Sequence, residues 1–424
     1  MSKYHEIKEL RVLLLKKEKD ILICKTLKTP LLSNIEINEI IQVKVNKPGI
    51  NKAFDCNDFW ENSILYLLDI QMDKDDFFYP KIIVLEPDYL LDVSAIAECF
   101  QDYGTSEYNY LLSKLIPVNN NKHILLGNFA NMVVDEIFSN PIETDFDNTF
   151  LKHFQSIPFE YTTCKDIDDK NDFLKFQADC KGHYVRIKSL INNNFKLLGI
   201  NIDKVVLEPT FISEKYGIQG RLDILDFEEK EQGISKIIEL KSGTPPFPDD
   251  GLSIKPSHQV QLFLYYLLIS QANKLNIQEW EDKIHGYILY SKTIKNNLRH
   301  KTPSLEIIQE ILNTRNKIII NEHIFLQDNI QKTEKLIFQI NSENIIKKQI
   351  HNKFNDILAT KINSLLETFI KSSEIEKKYF ITYLNYVSYE HYLNKIGICS
   401  SSNEKSSGLA SIWLNNLNEK QEKF

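Results

Sequence analysis

Residues Gly217 to Tyr265 read GIQGRLDILDFEEKEQGISKIIELKSGTPPFPDDGLSIKPSHQVQLFLY, and this stretch decides the fold. Its opening alternates, so a strand over Ile218–Phe227 places Ile218, Leu222 and Ile224 on one face and Arg221 and Asp223 on the other. A second strand over Lys236–Leu240 turns Ile238 and Leu240 to the core and projects Glu239 and the following Lys241 together. If the two strands are neighbours, Asp223, Glu239 and Lys241 meet at one spot. The segment TPPFPDDGLSIKP is too rich in proline for regular structure and is expected to be an ordered loop, gating the site or simply connecting strand to helix. Ser257 is placed to cap a strongly apolar helix over about residues 258–274, on which Gln261 and Tyr265 lie one turn apart.

Two carboxylates with a main-chain oxygen nearby form a hard-oxygen site suited to Mg²⁺ or Mn²⁺, ions that keep several waters and bind phosphate. Such ions polarise a phosphoryl oxygen and acidify water into a nucleophile. A lysine ammonium beside them orients that nucleophile and offsets charge growing at phosphorus. An E-x-K on a strand, taken alone, is commonly two solvated side chains. The weight lies in the coincidence of G-x-Q-G-R-L-D, Glu239 sixteen positions after Asp223 within I-I-E-L-K-S-G, and the Gln261/Tyr265 pair.

That joint pattern resembles the PD-(D/E)XK nucleases, and within them the RecB-like branch with its G-x-x-D, E-x-K and Q-x-x-x-Y motifs. The resemblance implies an α/β fold, a restriction-endonuclease-like mixed sheet flanked by helices. It implies Asp223 and Glu239 as metal ligands, the Leu240 carbonyl as a third, and Lys241 as the catalytic lysine. Gln261 and Tyr265 would contact DNA or brace the site, and Arg221 would contact nucleic acid. The segments LEPDYLLDVSAIAECF, LLGNFANMVVDEIF and YSKTIKNNLRHKTPSLEIIQEILNTRNKI extend the likeness over roughly residues 80 to 325, toward the nuclease portion of flap-processing helicase-nucleases of replication and repair. Bacterial versions join such a nuclease to a superfamily 1 helicase, and the ending KIGICSSSNEKSSGLASIWLNNLNEKQEKF looks like the lead-in to it. No G-x-x-x-x-G-K-[ST] phosphate loop occurs in the 424 residues, so the motor is expected on another polypeptide or beyond residue 424.

Two departures from the family pattern matter. Relatives carry G-x-x-x-H on the helix before the core, where this chain has Gly127 and Asn131. The Asn131 carbonyl oxygen makes it a candidate metal ligand, with Asp135 one turn further on. Many relatives also hold an iron-sulfur cluster with one cysteine before the core and three after it. Here Cys99 stands near the first position but Cys399 is the only cysteine after Tyr265, so no iron-sulfur cluster is expected. Glu208, followed by Pro209, matches a recurrent acid of the family; it is a third carboxylate, a support for the ligands, or a surface glutamate at a strand end. His183, on a helix over Asp172–Ile191, is either a stand-in for the missing histidine or an ordinary helical residue.

The rest of the chain reads as three parts. Residues 1–95 form a β-rich module with strands at Glu36–Asn46 and Pro80–Pro87, and residues 96–300 form the nuclease core. That core opens on helices near Ser94–Phe100, Leu126–Phe138 and 171–192, with strands at Lys204–Ile212 and Gly286–Tyr290. Residues 301–424 form a mainly helical extension, docking a helicase or leading into one, with helices at Leu305–Asn313, Asn329–Ile340, Ile345–Ile370 and Glu374–Lys395. Lys plus Arg number 51 against 58 Asp plus Glu, so bulk charge announces no nucleic-acid partner and a local patch must serve. Lys292, Lys295, Arg299, His300, Lys301, Arg315 and Lys317 either track phosphates or form a solvated face. The six cysteines lack any C-x-x-C pair and read as free buried thiols. No apolar run suits a bilayer span and the start lacks a signal-peptide core, so a cytoplasmic protein is expected.

The function expected is metal-dependent hydrolysis of DNA phosphodiesters with Mg²⁺ or Mn²⁺. Single-stranded or flapped DNA is the favoured substrate, a superfamily 1 helicase the partner in cis or in trans, and DNA repair or defence against foreign DNA the setting. Two alternatives stand beside it: a weakly active module that binds DNA or docks a helicase, and a duplex-specific restriction-type endonuclease.

Overall fold

The computed structural model describes residues 7–28, 36–45, 55–117, 119–140, 144–227, 233–273, 275, 279–348 and 353–397. Cys399 and the ending from residue 398 lie outside the described residues. The chain opens with strands β1 (Glu9–Glu18), β2 (Ile21–Lys28), β3 (Ile40–Lys44), β4 (Ile64–Met72) and β5 (Phe78–Leu85). Short pieces follow: β6 (Leu91–Asp92), α1 (Val93–Ala97), β7 (Phe100–Gln101), β8 (Gly104–Thr105) and α2 (Tyr108–Leu115). Helices α3 (Lys122–Ser139), α4 (Phe146–Ser156), α5 (Pro158–Thr163) and α6 (Lys170–Leu197) lead to β9 (Val205–Leu207), β10 (Thr210–Ser213), β11 (Ile218–Arg221), β12 (Ile224–Asp226) and β13 (Ser235–Lys241). Then come α7 (Pro256–Ala272), α8 (Trp280–Lys283), β14 (Ile284–Tyr290) and β15 (Leu298–His300). The chain continues with α9 (Leu305–Leu326), α10 (Ile330–Gln339), α11 (Ser342–Ile345), α12 (Lys353–Lys371) and α13 (Glu374–Ile396). The fold is mixed α/β, β-rich at the start and helical at the end.

Several boundaries differ from the periodic reading for local physical reasons. The expected strand Ile218–Phe227 is two strands, because Leu222 donates its N–H to the Pro209 carbonyl and Asp223 accepts the Glu208 N–H at a bend between them. The expected strand Lys204–Ile212 likewise divides at Glu208–Pro209, where Glu208 has φ 50° and proline offers no N–H to a ladder. Ser257 is not the cap of α7. Lys255 occupies that position and Pro256 takes the first helical turn, where its missing N–H costs nothing. The expected helix Ile345–Ile370 is not continuous: residues 346–348 are not helical, residues 349–352 lie outside the described residues, and the helix described beyond them is Lys353–Lys371.

Two compact units result, each assembled from separated stretches. The first comprises Met1–Leu112, Ile212–Gln219 and Ser304–Phe424. Its strands close into a barrel in the order β1-β2-β3-β5-β4, with β3 and β5 parallel, and fill it with Leu10, Val12, Leu14, Leu22 and Cys24. Five strands in this Greek-key arrangement make a small OB-type barrel, an architecture that by itself assigns no ligand. Helix α9 is stapled to β5: Asn316 accepts the Leu85 N–H at 3.0 Å and donates to the Ile83 carbonyl at 2.6 Å. Arg315, fully buried, donates to the carbonyls of Leu85, Glu86, Tyr89 and Gly217. It is therefore an internal brace and not one of the phosphate-tracking cations the sequence suggested. Gly217, at φ 63°, lies so close to that guanidinium that a Cβ would collide with it. Further along, Ile337, Phe369 and Ile381 join α10, α12 and α13 in a satellite core, and a Ser373–Glu376 capping box starts α13.

The second unit comprises Ser113–Phe211 and Gly220–Pro303. Its sheet has the order β15-β14-β13-β12-β9, in which β13 and β14 are parallel and the other pairs antiparallel. One face carries Ile224, Ile238, Leu240 and Leu289 into a core completed by Leu125, Phe129 and Val133 of α3 and Ile187 and Ile191 of α6. Each such buried side chain is worth roughly 1.5–3 kcal/mol. The other face receives α7, whose Tyr266 hydroxyl accepts the Gly286 N–H at 2.7 Å; a Cβ on Gly286 would strike the tyrosine ring. Because side chains alternate along a strand, the residues between Ile238, Leu240 and the loop, namely Glu239 and Lys241, face α7. Among the described residues, no helix is long and apolar enough to cross a membrane.

Candidate active site

Strands β12 and β13 pair antiparallel with Ile224 opposite Ile238, so the next residues in register, Asp223 and Glu239, come from facing positions. Asp223 Oδ2 accepts the main-chain N–H of Leu240 at 2.7 Å. Lys241 Nζ donates to Glu239 Oε1 at 2.9 Å and to Gln261 Oε1 at 2.7 Å, while Gln261 Nε2 donates to the same Glu239 oxygen at 2.6 Å. The three side chains form a closed triangle between β13 and α7. Glu239 is 4% exposed, and its second oxygen, Oε2, is buried with no hydrogen-bond donor.

Burial, and next the Glu239 charge, push the Asp223 carboxyl well above the usual carboxylate range, against the opposing pull of the Leu240 N–H and Lys241. A partnerless buried carboxylate oxygen beside a second carboxylate is costly unless a cation accompanies them. The donor set, two carboxylates among neutral oxygens, fits Mg²⁺ or Mn²⁺, which bind through one or two carboxylates and retain waters. Among the described residues, no group of three or more His, Cys, Asp and Glu side chains is arranged to hold a metal ion.

The remaining sequence candidates fall around this centre. Tyr265 is 2% exposed and donates its hydroxyl to the Arg221 carbonyl at 2.6 Å, so it braces α7 against the end of β11. The Arg221 side chain is exposed and pairs with Glu208 at 3.1 Å. Glu208 in turn donates its N–H to the Asp223 carbonyl at 3.0 Å, and Asp135 is raised above its ordinary value by burial and then by Glu208. Glu208, Arg221 and Asp135 thus form a second polar cluster next to Asp223. Asn131 is half-buried on α3, one turn beyond Gly127, which passes Ser242 at the end of β13. His183 is buried against Ser291, Nδ1 to Oγ 2.8 Å, and Ser291 donates its N–H to the Lys241 carbonyl at 3.0 Å.

Sequence reading missed two elements. His258 stands one turn before Gln261 on α7, with Nδ1 2.9 Å from the Tyr290 hydroxyl, and burial followed by the Lys241 charge lowers it to about 3. The H-x-x-Q spacing was its only local sign. Arg299, read as either a phosphate contact or part of a solvated face, is instead fully inside: it pairs with Asp249 at 2.6 Å and donates to the Ser253 carbonyl. The Cys24, Cys99, Cys164 and Cys180 thiols are free and buried, and Cys56 is buried.

No curated protein sequence matches this chain. Residues 184–367 match the family described as the PD-(D/E)XK nuclease superfamily, a span that includes Asp223, Glu239, Lys241, Gln261 and Tyr265 and excludes Asn131. Members of that superfamily are metal-dependent phosphodiester nucleases, the chemistry for which a buried carboxylate pair beside a lysine is suited. The chain carries a PD-(D/E)XK nuclease superfamily domain at residues 184–367.

Proposed function

We propose that the protein is a deoxyribonuclease acting on single-stranded or flapped DNA, with its core within residues 96–300 and Mg²⁺ or Mn²⁺ held by Asp223 and Glu239. The observation that carries this reading is the orphaned Glu239 Oε2 beside an Asp223 whose charge is already disfavoured. The Leu240 carbonyl, Asn131 and, through Asp223, Glu208 are the neighbouring candidates to complete or support the ligand set. When bound, the divalent ion supplies Lewis-acid polarisation of the phosphoryl oxygen and an acidified water.

The chain's own side chains do the rest. Lys241 holds a positive charge at the edge of the carboxylate pair, where it orients the attacking oxygen and offsets charge developing at phosphorus. Gln261 keeps Lys241 and Glu239 in one geometry through its two hydrogen bonds. Tyr265 locks the helix that carries Gln261. Arg221, exposed beside the site, is the proposed phosphate contact. A superfamily 1 helicase, in cis or in trans, is the proposed partner, and repair or defence against foreign DNA the proposed setting; both rest on the likeness of residues 80 to 325 to helicase-nucleases.

The test is cleavage of end-labelled single-stranded, flapped and duplex DNA with Mg²⁺ or Mn²⁺, comparing the wild type with Glu239→Ala and Lys241→Ala. Cutting that requires metal and disappears in both variants is the expected result. Folded wild-type protein that cuts none of these substrates, with or without a helicase, would overturn the proposal.

A further inference from the structure

Phe247 is 97% exposed, the most exposed large apolar side chain among the described residues. It stands six positions after Lys241, in the loop that connects β13 to α7. In the parallel β13–β14 pair, Lys241 is in register with Tyr290, so the loop after β13 and the loop after β14 leave the sheet at the same edge, the edge that carries Lys241. The Ser291 N–H bond to the Lys241 carbonyl joins their starting points.

The loop bearing Phe247 is braced from behind. Arg299, with no exposure, grips Asp249 at 2.6 Å and the Ser253 carbonyl, and the Lys255 N–H reaches the Tyr290 hydroxyl at 3.1 Å. Asp250 accepts the N–H groups of Leu252 and Ser253 at 2.8 and 2.7 Å, and Gly251 lies against the Asn296 side chain of the second loop. Desolvating an arginine to hold a loop is expensive, yet the loop directs its aromatic ring into solvent. On the same loop Leu252 is 79% exposed, and on the loop after β14 Ile294 is 81% exposed with Lys292 and Lys295 exposed on either side of it.

An aromatic ring on a stiff support, with cations on the adjacent loop, is the arrangement that takes an unpaired base on its π-face and the flanking phosphates on ammonium groups. A base inside a duplex already has both faces stacked and offers none. An apolar protein partner would gain nothing from Lys292 and Lys295 interleaved with Ile294. We propose that Phe247 is a stacking platform for an unpaired nucleobase, with Lys292 and Lys295 as phosphate contacts, and that it selects unpaired over duplex strands at this site. This deepens the nuclease reading above and rests on it.

The experiment uses the full chain in EDTA and measures binding to oligothymidylate and oligouridylate carrying one 2-aminopurine, and to matched duplexes, for the wild type, Phe247→Ala and Phe247→Trp. Phe247→Ala is expected to weaken single-strand binding about 5- to 150-fold, the loss of one stacked base, and to abolish 2-aminopurine quenching. Phe247→Trp should retain both, and duplex affinity should not change. Unaltered single-strand binding by Phe247→Ala, an equal loss on duplex, or a wild type that binds no single strand would overturn the platform. Cleavage by Glu239→Ala separates the two readings. A wild type that cuts nothing yet shows Phe247-dependent single-strand binding defeats the nuclease assignment alone. Metal-dependent cutting abolished by Glu239→Ala, with Phe247 dispensable for binding, defeats the platform alone.

Discussion

Asp223 accepts the main-chain N–H of Leu240 at 2.7 Å, so the acid of one strand is positioned by the backbone of the strand that carries Glu239 and Lys241. The bond lowers the cost of ionising Asp223 but does not cancel the effects of burial and of Glu239. A carboxyl whose folded value is raised contributes stability below its unfolded value and loses it as pH rises through the folded one. Without metal, ionisation of Asp223 therefore opposes folding.

Asp223→Asn retains an oxygen for the Leu240 N–H and removes the charge. Its metal-free melting temperature at pH 8 should exceed that of the wild type, while cleavage falls by at least about 100-fold. Asp223→Ala should lose cleavage equally and, by leaving the Leu240 N–H without that acceptor, should gain about 1 kcal/mol less stability than Asp223→Asn. Thermal melts in EDTA, paired with cleavage rates, check both.

Gln261→Leu removes the bridge between Lys241 and Glu239 while preserving helix and volume. Cleavage should fall about 10- to 100-fold, as happens when a residue that orients metal ligands is lost. Steady-state rates across a Mn²⁺ titration would show the loss as weaker metal dependence, slower turnover or both; wild-type rates throughout would refute the bridging role.

His153 and His183 are each 1% exposed and pushed down to about 4, in both cases first by burial. In the unfolded chain they take up a proton near pH 6.5, and in the folded chain they resist it. Their contribution to stability is thus present above about pH 6.5 and lost as pH falls toward 4, by at most about 3 kcal/mol each. Urea unfolding at stepped pH should show this decline, and His153→Gln should make it shallower.

Arg315→Lys replaces a guanidinium that serves four carbonyls with one ammonium, and Gly217→Ala puts a methyl group into the guanidinium's space. Each should cost about 3 kcal/mol or more in the unit containing the barrel. Limited proteolysis would detect the loosening; unaltered protection would contradict the brace assigned to Arg315.

Much of this protein was legible locally. Alternation around Ile238 and Leu240 determined which way Glu239 and Lys241 face, and the 3.6-residue period located α7, α10 and α13 closely, while α3 begins earlier and α6 ends later than it indicated. Those signals survive because each is carried by neighbours along the chain. The tertiary structure decided matters whose partners are distant in sequence. Arg299 and Asp249 lie 50 residues apart and Arg315 and Leu85 lie 230 apart, and their pairing turned two apparent phosphate contacts into internal braces. Glu208–Pro209, opposite Leu222–Asp223, broke two strands that periodicity read as continuous. The sequence by itself determined which chemical groups this site has at hand, whereas only the folded chain decided which of them are free to act. A buried charge must find its counterpart wherever the fold supplies one, and no local window contains that choice.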